Sequence, residues 1–220
     1  MIKIETLVFN PFHENTYILS DESGKAIIVD AGNNDQRENQ ILDEHLASRG
    51  LTPIMALNTH GHIDHILGID YIKNKYNVPF ALDSRDKFLV ENAPSQGAAF
   101  GFNITSAPEI DMDLAGVSEI KLGEHTLQII ETPGHTPGHI SIYDPQSKSL
   151  LTGDTLFRES IGRTDLPGGD YKIIMQSILQ NIVPLGDEVK VYPGHGPSTS
   201  IGHEVLYNPF VSEVIAGEVN

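Results

Sequence analysis

The chain has 220 residues, with 14 Lys and Arg against 30 Asp and Glu, so its formal net charge is −16. This excess of negative charge argues against binding to nucleic acids and to anionic membrane surfaces, because both need clustered Lys and Arg. The absence of Cys excludes disulfides, thiolate zinc sites, cysteine-ligated iron–sulfur clusters and a cysteine nucleophile.

Strands and helices alternate in the first part of the chain. Apolar alternation and short apolar runs predict strands at residues 2–4, 16–18, 26–29 and 53–57. Asn34 or Asp35 can cap a helix that Gly50 ends, and a second helical pattern follows His65 and stops before Val78. This order of elements is typical of an α/β protein.

Residues 93–117 lack a periodic apolar pattern and are rich in Gly, Ala, Pro and Asp. They form either a linker between two halves or a functional loop near a site. Within this segment, Phe100 and Phe102 either wall an apolar pocket or pack locally.

The second part of the chain repeats the order of strands followed by helices. The sequence predicts strands at 120–122, 125–130, 140–143, 150–151 and 189–192, and helices at 171–183 and 199–210. We therefore expect two similar α/β halves, approximately 1–115 and 116–220, within a single domain over residues 1–220. The expected architecture is a four-layer αββα sandwich, in which the two sheets pack against each other and the helices lie outside.

The segment Thr59–His65 holds three His and one Asp directly after a predicted strand. Imidazole and carboxylate groups at this density suit a site for zinc, iron or manganese. The alternative to a metal site is a solvated turn that is rich in His. Three later residues, His135, Asp154 and His195, also lie where a predicted strand meets a loop that contains Gly. A Gly beside the ligand lets the backbone turn sharply and approach an ion. The candidate ligands, enough for two cations, are His60, His62, Asp64, His65, His135, Asp154 and His195.

These residues and their neighbours resemble the metallo-β-lactamase-fold hydrolase superfamily over nearly the whole chain. The His60-X-His62-X-Asp64-His65 element carries this resemblance. In addition, Val29-Asp30-Ala31-Gly32 is similar to the first motif of that superfamily. The stretches 132–136, 153–157 and 160–170 resemble the short bacterial glyoxalase II-like, or hydroxyacylglutathione hydrolase-like, branch. The implied architecture is the metallo-β-lactamase fold.

The resemblance implies a role for each candidate residue. The ligands of the first metal ion would be His60, His62 and His135. Those of the second would be Asp64, His65 and His195. Asp154 would bridge both ions, and Asp64 and Asp154 would be the catalytic residues. Asp30 and His139 would orient the ligands from behind.

The implied activity is metal-dependent hydrolysis of thioesters by a metal-bound hydroxide at a dinuclear site. Two divalent ions per chain, zinc before iron or manganese, would lower the pKa of water towards about 7 and polarise the substrate carbonyl. A thiolate leaves readily as an anion, so no strong general acid is needed. The chain also lacks a Gly-X-Ser-X-Gly nucleophile motif.

Other functions stay open. Persulfide dioxygenase-like oxidoreductases, which use a single iron, carry a Gly-Arg-Thr-Asp element like that at residues 162–165. Another ester-type metabolite is a further possible substrate, and a non-catalytic metal-binding module is disfavoured by the complete ligand set. Only 25 residues follow His195 and none is Lys or Arg, so the basic helical extension that binds glutathione in full-length glyoxalase II is not expected.

We expect a small-molecule substrate, most simply an acyl thioester, and neither nucleic acid nor a membrane as a partner. No apolar run approaches the roughly 18 residues of a membrane span. The first residues lack the basic and apolar segments of a secretory signal. With the lack of Cys, this predicts a cytoplasmic protein and argues against an exported β-lactamase.

Overall fold

The computed structural model describes residues 1–218, and residues 3–113 build the first of two six-stranded sheets. Its strands are β1 (Lys3–Phe9), β2 (Glu14–Ser20), β3 (Lys25–Val29), β4 (Thr52–Leu57), β5 (Phe80–Leu82) and β6 (Met112–Asp113), adjacent in that order. β1, β2 and β3 pair antiparallel, whereas β3 to β6 pair parallel. The helices of this part are α1 (Gln36–Arg49), α2 (Ile63–Ile66), α3 (Ile69–Tyr76), α4 (Lys87–Glu91) and α5 (Ala93–Phe100).

The second sheet and a small hairpin come from the rest of the chain. The strands are β7 (Glu119–Leu122), β8 (His125–Glu131), β9 (Ile140–Asp144), β10 (Ser149–Gly153), β11 (Leu156–Phe157), β12 (Ser160–Ile161), β13 (Lys190–Pro193) and β14 (Thr199–Ser200). The sheet order is β14-β13-β10-β9-β8-β7, and β11 pairs with β12 in a separate hairpin. The helices are α6 (Tyr171–Gln176), extended by wider turns over Ser177–Ile182 and a tight turn over Val183–Leu185, then α7 (Ile201–Tyr207) and α8 (Pro209–Glu218).

Strand β2 shows how side-chain alternation divides the core. Ile18 packs with the helices of the first sheet, whereas Tyr17 and Leu19 pack against the second sheet, because successive side chains of a strand point to opposite faces. A further apolar cluster, which includes Ile178 and Val191, fills the space between the second sheet and α6 to α8. Helices therefore cover the outer face of each sheet, and the predicted four-layer α/β sandwich is confirmed.

Helix α1 begins and ends where the sequence predicts. The Asp35 side chain caps it by accepting the Glu38 N–H at 2.8 Å. Gly50 takes the left-handed conformation, with φ 65°, that ends many helices. Within residues 1–218, no helix is both long enough and apolar enough to cross a membrane.

Two stretches differ from the sequence-based expectation. Residues 93–117 were expected to lack regular structure, but they contain α5 and β6. Helix α5 ends at Gly101, which has φ 81°. The helix forms without an amphipathic pattern because tertiary contacts hold it, and Ala93 is fully buried. Residues 199–200, expected to be helical, pair with β13 instead, and the helical segment that follows is interrupted at Asn208.

Candidate metal centre

The loop after β4 and the short helix α2 carry four predicted ligands: His60 and His62 lie in the loop, and Asp64 and His65 lie in α2. Asp30, directly after β3, fixes the start of this loop. Its Oδ1 accepts the Thr59 N–H at 2.7 Å and its Oδ2 accepts the Thr59 hydroxyl at 2.7 Å. Because β3 and β4 are parallel neighbours, their carboxyl ends meet at one edge of the sheet. Asp30 thus lies behind the ligand loop, as the resemblance implies.

His135, Asp154 and His195 come from three loops of the second sheet. β8 and β10 both pair antiparallel with β9, and β10 pairs parallel with β13, so β8, β10 and β13 run in the same direction. Each of the three residues follows the carboxyl end of its strand. The fold therefore brings them to one edge of the second sheet, near the segment of loop and α2 that holds His60 to His65.

Three groups of side chains hold their ligand atoms within 4.8 Å of one another. The groups are His60 with His62 and His135, His60 with His65 and Asp154, and Asp64 with His65 and His195. The first and third are the two sets that the resemblance implies for two ions. The Asp154 carboxylate lies between them, 3.6 Å from Nε2 of His135 and 3.7 Å from Nε2 of His195. A bridging carboxylate needs this central position.

Two of the histidines are oriented by main-chain carbonyl groups. Nδ1 of His135 donates to the Arg163 carbonyl oxygen at 2.7 Å, and Nδ1 of His195 donates to the Phe12 carbonyl oxygen at 3.1 Å. These bonds place the proton on Nδ1 and leave Nε2 of each ring as an electron-pair donor facing the centre.

Several buried atoms at the centre lack a protein partner. Nδ1 of His60 lies 3.0 Å from the Thr59 hydroxyl, and Nδ1 of His65 lies 3.3 Å from Oδ2 of Asp30. Among the described residues, Nε2 of both rings and Oδ1 of Asp154 are buried without a hydrogen bond. Buried polar atoms are nearly always paired. A convergent set of unpaired nitrogen and oxygen atoms therefore fits divalent metal ions.

Burial and mutual proximity set the protonation of the cluster. Burial lowers the pKa of His60 well below its usual range and lowers the pKa of His62 to about 3, so both rings are neutral at pH 7. Burial raises the pKa of Asp64, but His65 and His195 outweigh it and the net shift is downward. Burial lowers the pKa of His65, but Asp64 and Asp154 raise it well above its usual range. Metal ions bind neutral imidazole and ionised carboxylate, and they displace protons from such sites.

Asp86 is a buried supporting residue that the sequence analysis missed. Its Oδ2 accepts the Gly61 N–H at 3.0 Å and the Thr136 hydroxyl at 2.6 Å, and its Oδ1 accepts the Gly138 N–H at 2.7 Å. One carboxylate thus joins the loop of His60 and His62 to the loop of His135. Its position shortly after β5 is the same kind of strand-end signal that marked the other candidates.

His139 supports Asp154 through the main chain. Its Nε2 accepts the Asp154 N–H at 3.0 Å, so its proton lies on Nδ1, within 3.0 Å of the Thr132 hydroxyl and 3.1 Å of the Thr155 hydroxyl. The ring is fully buried and stacks on His60 at 5.0 Å between ring centroids. This placement agrees with the orienting role that the resemblance implies.

Comparison with known proteins identifies the family. Residues 9–195 match the family model described as the metallo-beta-lactamase superfamily. The chain belongs to this superfamily. Hydroxyacylglutathione hydrolase GloC of Haemophilus influenzae is 36% identical over 213 residues, which cover 96% of this chain and 99% of that protein.

Two solved structures of superfamily proteins superpose over nearly the whole chain. The B3 metallo-beta-lactamase BLEG-1 is 34% identical with a TM-score of 0.88, over 96% of this chain and 100% of that one. TTHA1623, solved in a di-iron-bound form, is 34% identical with a TM-score of 0.81, over 94% of this chain and 99% of that one. These likenesses confirm the metallo-β-lactamase fold.

The candidate centre of this superfamily member forms the base of a cavity of about 500 Å³. The cavity is lined by Phe12, His62, Ile63, Asp64, Leu89, Gln96, Phe100, His135, Asp154, Phe157, Ser160, Ile161, Arg163, Leu166, Pro167 and His195. Phe100 therefore belongs to a pocket wall, whereas Phe102 packs on Phe12 at 5.9 Å between ring centroids. Arg163, on the rim, is paired with Asp165 through two bonds of 2.7 Å.

Proposed function

We propose that this metallo-hydrolase superfamily protein hydrolyses thioesters with two divalent metal ions per chain, zinc being the first choice. The observation that carries the proposal is the convergence of five His and two Asp, in three overlapping groups of ligand atoms, at a cavity. GloC, named a hydroxyacylglutathione hydrolase, supports the substrate class, and the di-iron form of TTHA1623 supports a dinuclear centre and makes iron the second choice.

The ligand roles in this proposal follow the first and the third of the three groups of ligand atoms described above. His60, His62 and His135 would hold one ion, and Asp64, His65 and His195 the other, with Asp154 between them. When bound, a pair of divalent ions supplies a nucleophilic oxygen at neutral pH and polarises a carbonyl group.

The chain's own residues would then position and protect the substrate. Main-chain carbonyls and buried carboxylates keep the ligand rings fixed, which lowers the cost of reorganisation during the reaction. Asp64, whose Oδ2 lies 3.1 Å from Nε2 of His195, and Asp154 would bring two carboxylates to the centre as ligands of the ions. Phe12, Phe100 and Phe157 line the cavity and would give the acyl group an apolar surface to pack against.

A β-lactam is the second candidate substrate, because BLEG-1 is a B3 metallo-beta-lactamase and is 34% identical. The leaving group separates the two candidates chemically. A β-lactam releases an amine nitrogen, which must be protonated, whereas a thioester releases a thiolate that is stable as an anion.

One set of assays tests the proposal. The protein is loaded with zinc or with iron, its metal content is determined by elemental analysis, and turnover is measured on S-lactoylglutathione, a simple acyl thioester and a chromogenic cephalosporin. Oxygen uptake with glutathione persulfide is measured in parallel. We expect two metal ions and thioester turnover. In the control variant His203→Ala, which lies outside the cluster and pairs with Glu159, turnover should be retained.

Three results would contradict the proposal. Absence of turnover on every thioester would refute it, and cephalosporin hydrolysis alone would favour the second candidate. One iron per chain together with oxygen uptake would instead identify a persulfide dioxygenase.

A further inference from the structure

The mouth of the cavity is aromatic and exposed. Phe12 and Phe100 meet edge to face with ring centroids 5.4 Å apart, and their exposed fractions are 39% and 59%. Phe157, Ile161 and Leu166 are further apolar side chains that line the cavity. Large apolar side chains clustered at an accessible pocket mark a binding surface for an apolar group.

The cavity offers almost no positive charge beyond the metal-binding centre. Among the described residues that line it, Arg163 is the single Lys or Arg. Its guanidinium group already forms two hydrogen bonds with the carboxylate of Asp165. Recognition of carboxylate or phosphate groups in a substrate relies on Arg or Lys. These bonds use Nε and Nη2, so an anionic carrier such as glutathione, which has two carboxylates, meets one guanidinium group among these lining residues, and that group is already paired with a carboxylate.

Phe12 is held in place by the site itself. Oδ1 of Asn10 accepts the Phe12 N–H at 2.9 Å, while Nδ2 of Asn10 donates to the carbonyl oxygens of Gly32 and Asp64 at 3.0 and 2.9 Å. The Phe12 carbonyl oxygen in turn orients His195. The same short loop thus fixes a ligand ring and presents an aromatic side chain at a defined distance from it.

We propose that this cavity selects thioesters with an apolar acyl group on an uncharged thiol, with Phe12 and Phe100 as the residues that determine the preference. The inference rests on the proposed function and deepens it. The reacting carbonyl lies at the ligand cluster, the acyl group packs against Phe12 and Phe100, and the thiol portion leaves into solvent. In the reaction, water adds to the thioester carbonyl, the carbon–sulfur bond breaks, and the thiolate that leaves is protonated, so that the products near neutral pH are a carboxylate, a thiol and one proton.

Four thioesters test the preference, combining two acyl groups with two thiols. The acyl groups are phenylacetyl and lactoyl, and the thiols are N-acetylcysteamine, which is uncharged, and glutathione. We expect kcat/KM for phenylacetyl-N-acetylcysteamine to exceed the values for the other three by about tenfold or more, the range that apolar contacts in a pocket provide. Equal values for the four substrates, or a preference for the glutathione thioesters, would overturn the inference and leave the thioesterase function standing. Absence of turnover on all four would refute the proposed function itself.

Variants of the aromatic wall show whether these residues cause the preference. In Phe12→Ala and Phe100→Ala, the phenylacetyl-to-lactoyl ratio of kcat/KM should fall about tenfold. Phe210→Ala is the matched control, because Phe210 has a similar exposed fraction, 38%, but lies on α8 outside the cavity; its ratio should stay at the wild-type value. An unchanged ratio in both wall variants would overturn the assignment.

A binding measurement gives a readout that is independent of turnover. The ¹⁹F NMR signal of 4-fluorophenylacetate, an analogue of the acid product, should broaden on addition of the wild-type protein. Broadening should weaken in Phe12→Ala and persist in Phe210→Ala. Equal broadening in all three proteins would contradict the proposed wall.

Discussion

Replacement of Asp86 by Asn is the most direct test of how the ligand loops are held. The carboxylate is fully buried, and each of its oxygens accepts a backbone N–H, one from Gly61 and one from Gly138. An amide in its place has one oxygen and one NH₂ group, so in either orientation an NH₂ faces a backbone N–H. At least one charge-assisted bond is lost and a buried donor is left unpaired.

The expected magnitude follows from these lost contacts. A hydrogen bond to a charged group contributes about 1.5–3 kcal/mol, and an unpaired buried donor costs about 1–3 kcal/mol. We therefore expect Asp86→Asn to lower the free energy of unfolding by about 3 kcal/mol and to lower Tm by on the order of 10 °C for a chain of this size. Because both loops carry predicted ligands, zinc affinity should also fall by about 10–100-fold.

Two measurements check this prediction. Urea unfolding in the presence of a chelator gives the stability, and competition with a chromogenic chelator gives zinc affinity. Thr136→Val is the matched control, since it removes only the hydroxyl bond to Asp86 and should cost about 1.5 kcal/mol, the lower end of the range for a bond to a charged group. If Asp86→Asn matched wild-type stability and affinity, the carboxylate would not be what joins the two loops.

Three further predictions concern the metal ligands, a glycine and the core. His135→Ala should reduce bound metal from about two ions to about one per chain by elemental analysis, because one ligand group loses a member; full retention of both ions would contradict the assignment. Gly194→Ala should abolish metal binding, since a Cβ there would lie 2.2 Å from the Asp154 carboxylate; wild-type metal content would contradict this close approach. Leu42→Ala should destabilise the protein by about 3 kcal/mol in urea unfolding, because Leu42 is fully buried. Leu206→Ala, at 69% exposed, should change stability little, and equal effects of the two would refute the core assignment.

The candidate ligands were predictable because their signals are local in sequence. Thr59–His65 concentrates three imidazoles and a carboxylate in one turn, and His135, Asp154 and His195 each sit beside a Gly after a strand. Close approach explains two of these glycines: a Cβ at Gly134 would lie 2.2 Å from the Ile174 backbone nitrogen, and one at Gly153 would lie 2.4 Å from the Thr59 hydroxyl oxygen. The strands and the capped helix α1 were also predictable, because each depends on residues that are close to one another in the sequence.

Asp86 and α5 were missed because their interactions are distant in sequence. Asp86 binds the backbone of Gly61 and Gly138, which lie 25 and 52 positions away, and no pattern around residue 86 reports those partners. Helix α5 contains Gly97 and has no apolar stripe, but Gly97 packs closely on Ile104, 3.2 Å from where its Cβ would be. Only the folded chain supplies that contact.

The predicted ligands come from both sheets: His60 to His65 follow β4 in the first, and His135, Asp154 and His195 follow strands of the second. Metal ions bound between them would connect segments that an unfolded chain keeps far apart, so their binding free energy would add to the stability of the native state. At a free metal concentration 100 times Kd, each site would contribute about 2.7 kcal/mol. Metal supply would then govern how much folded protein persists in the cell, in addition to how fast each molecule reacts.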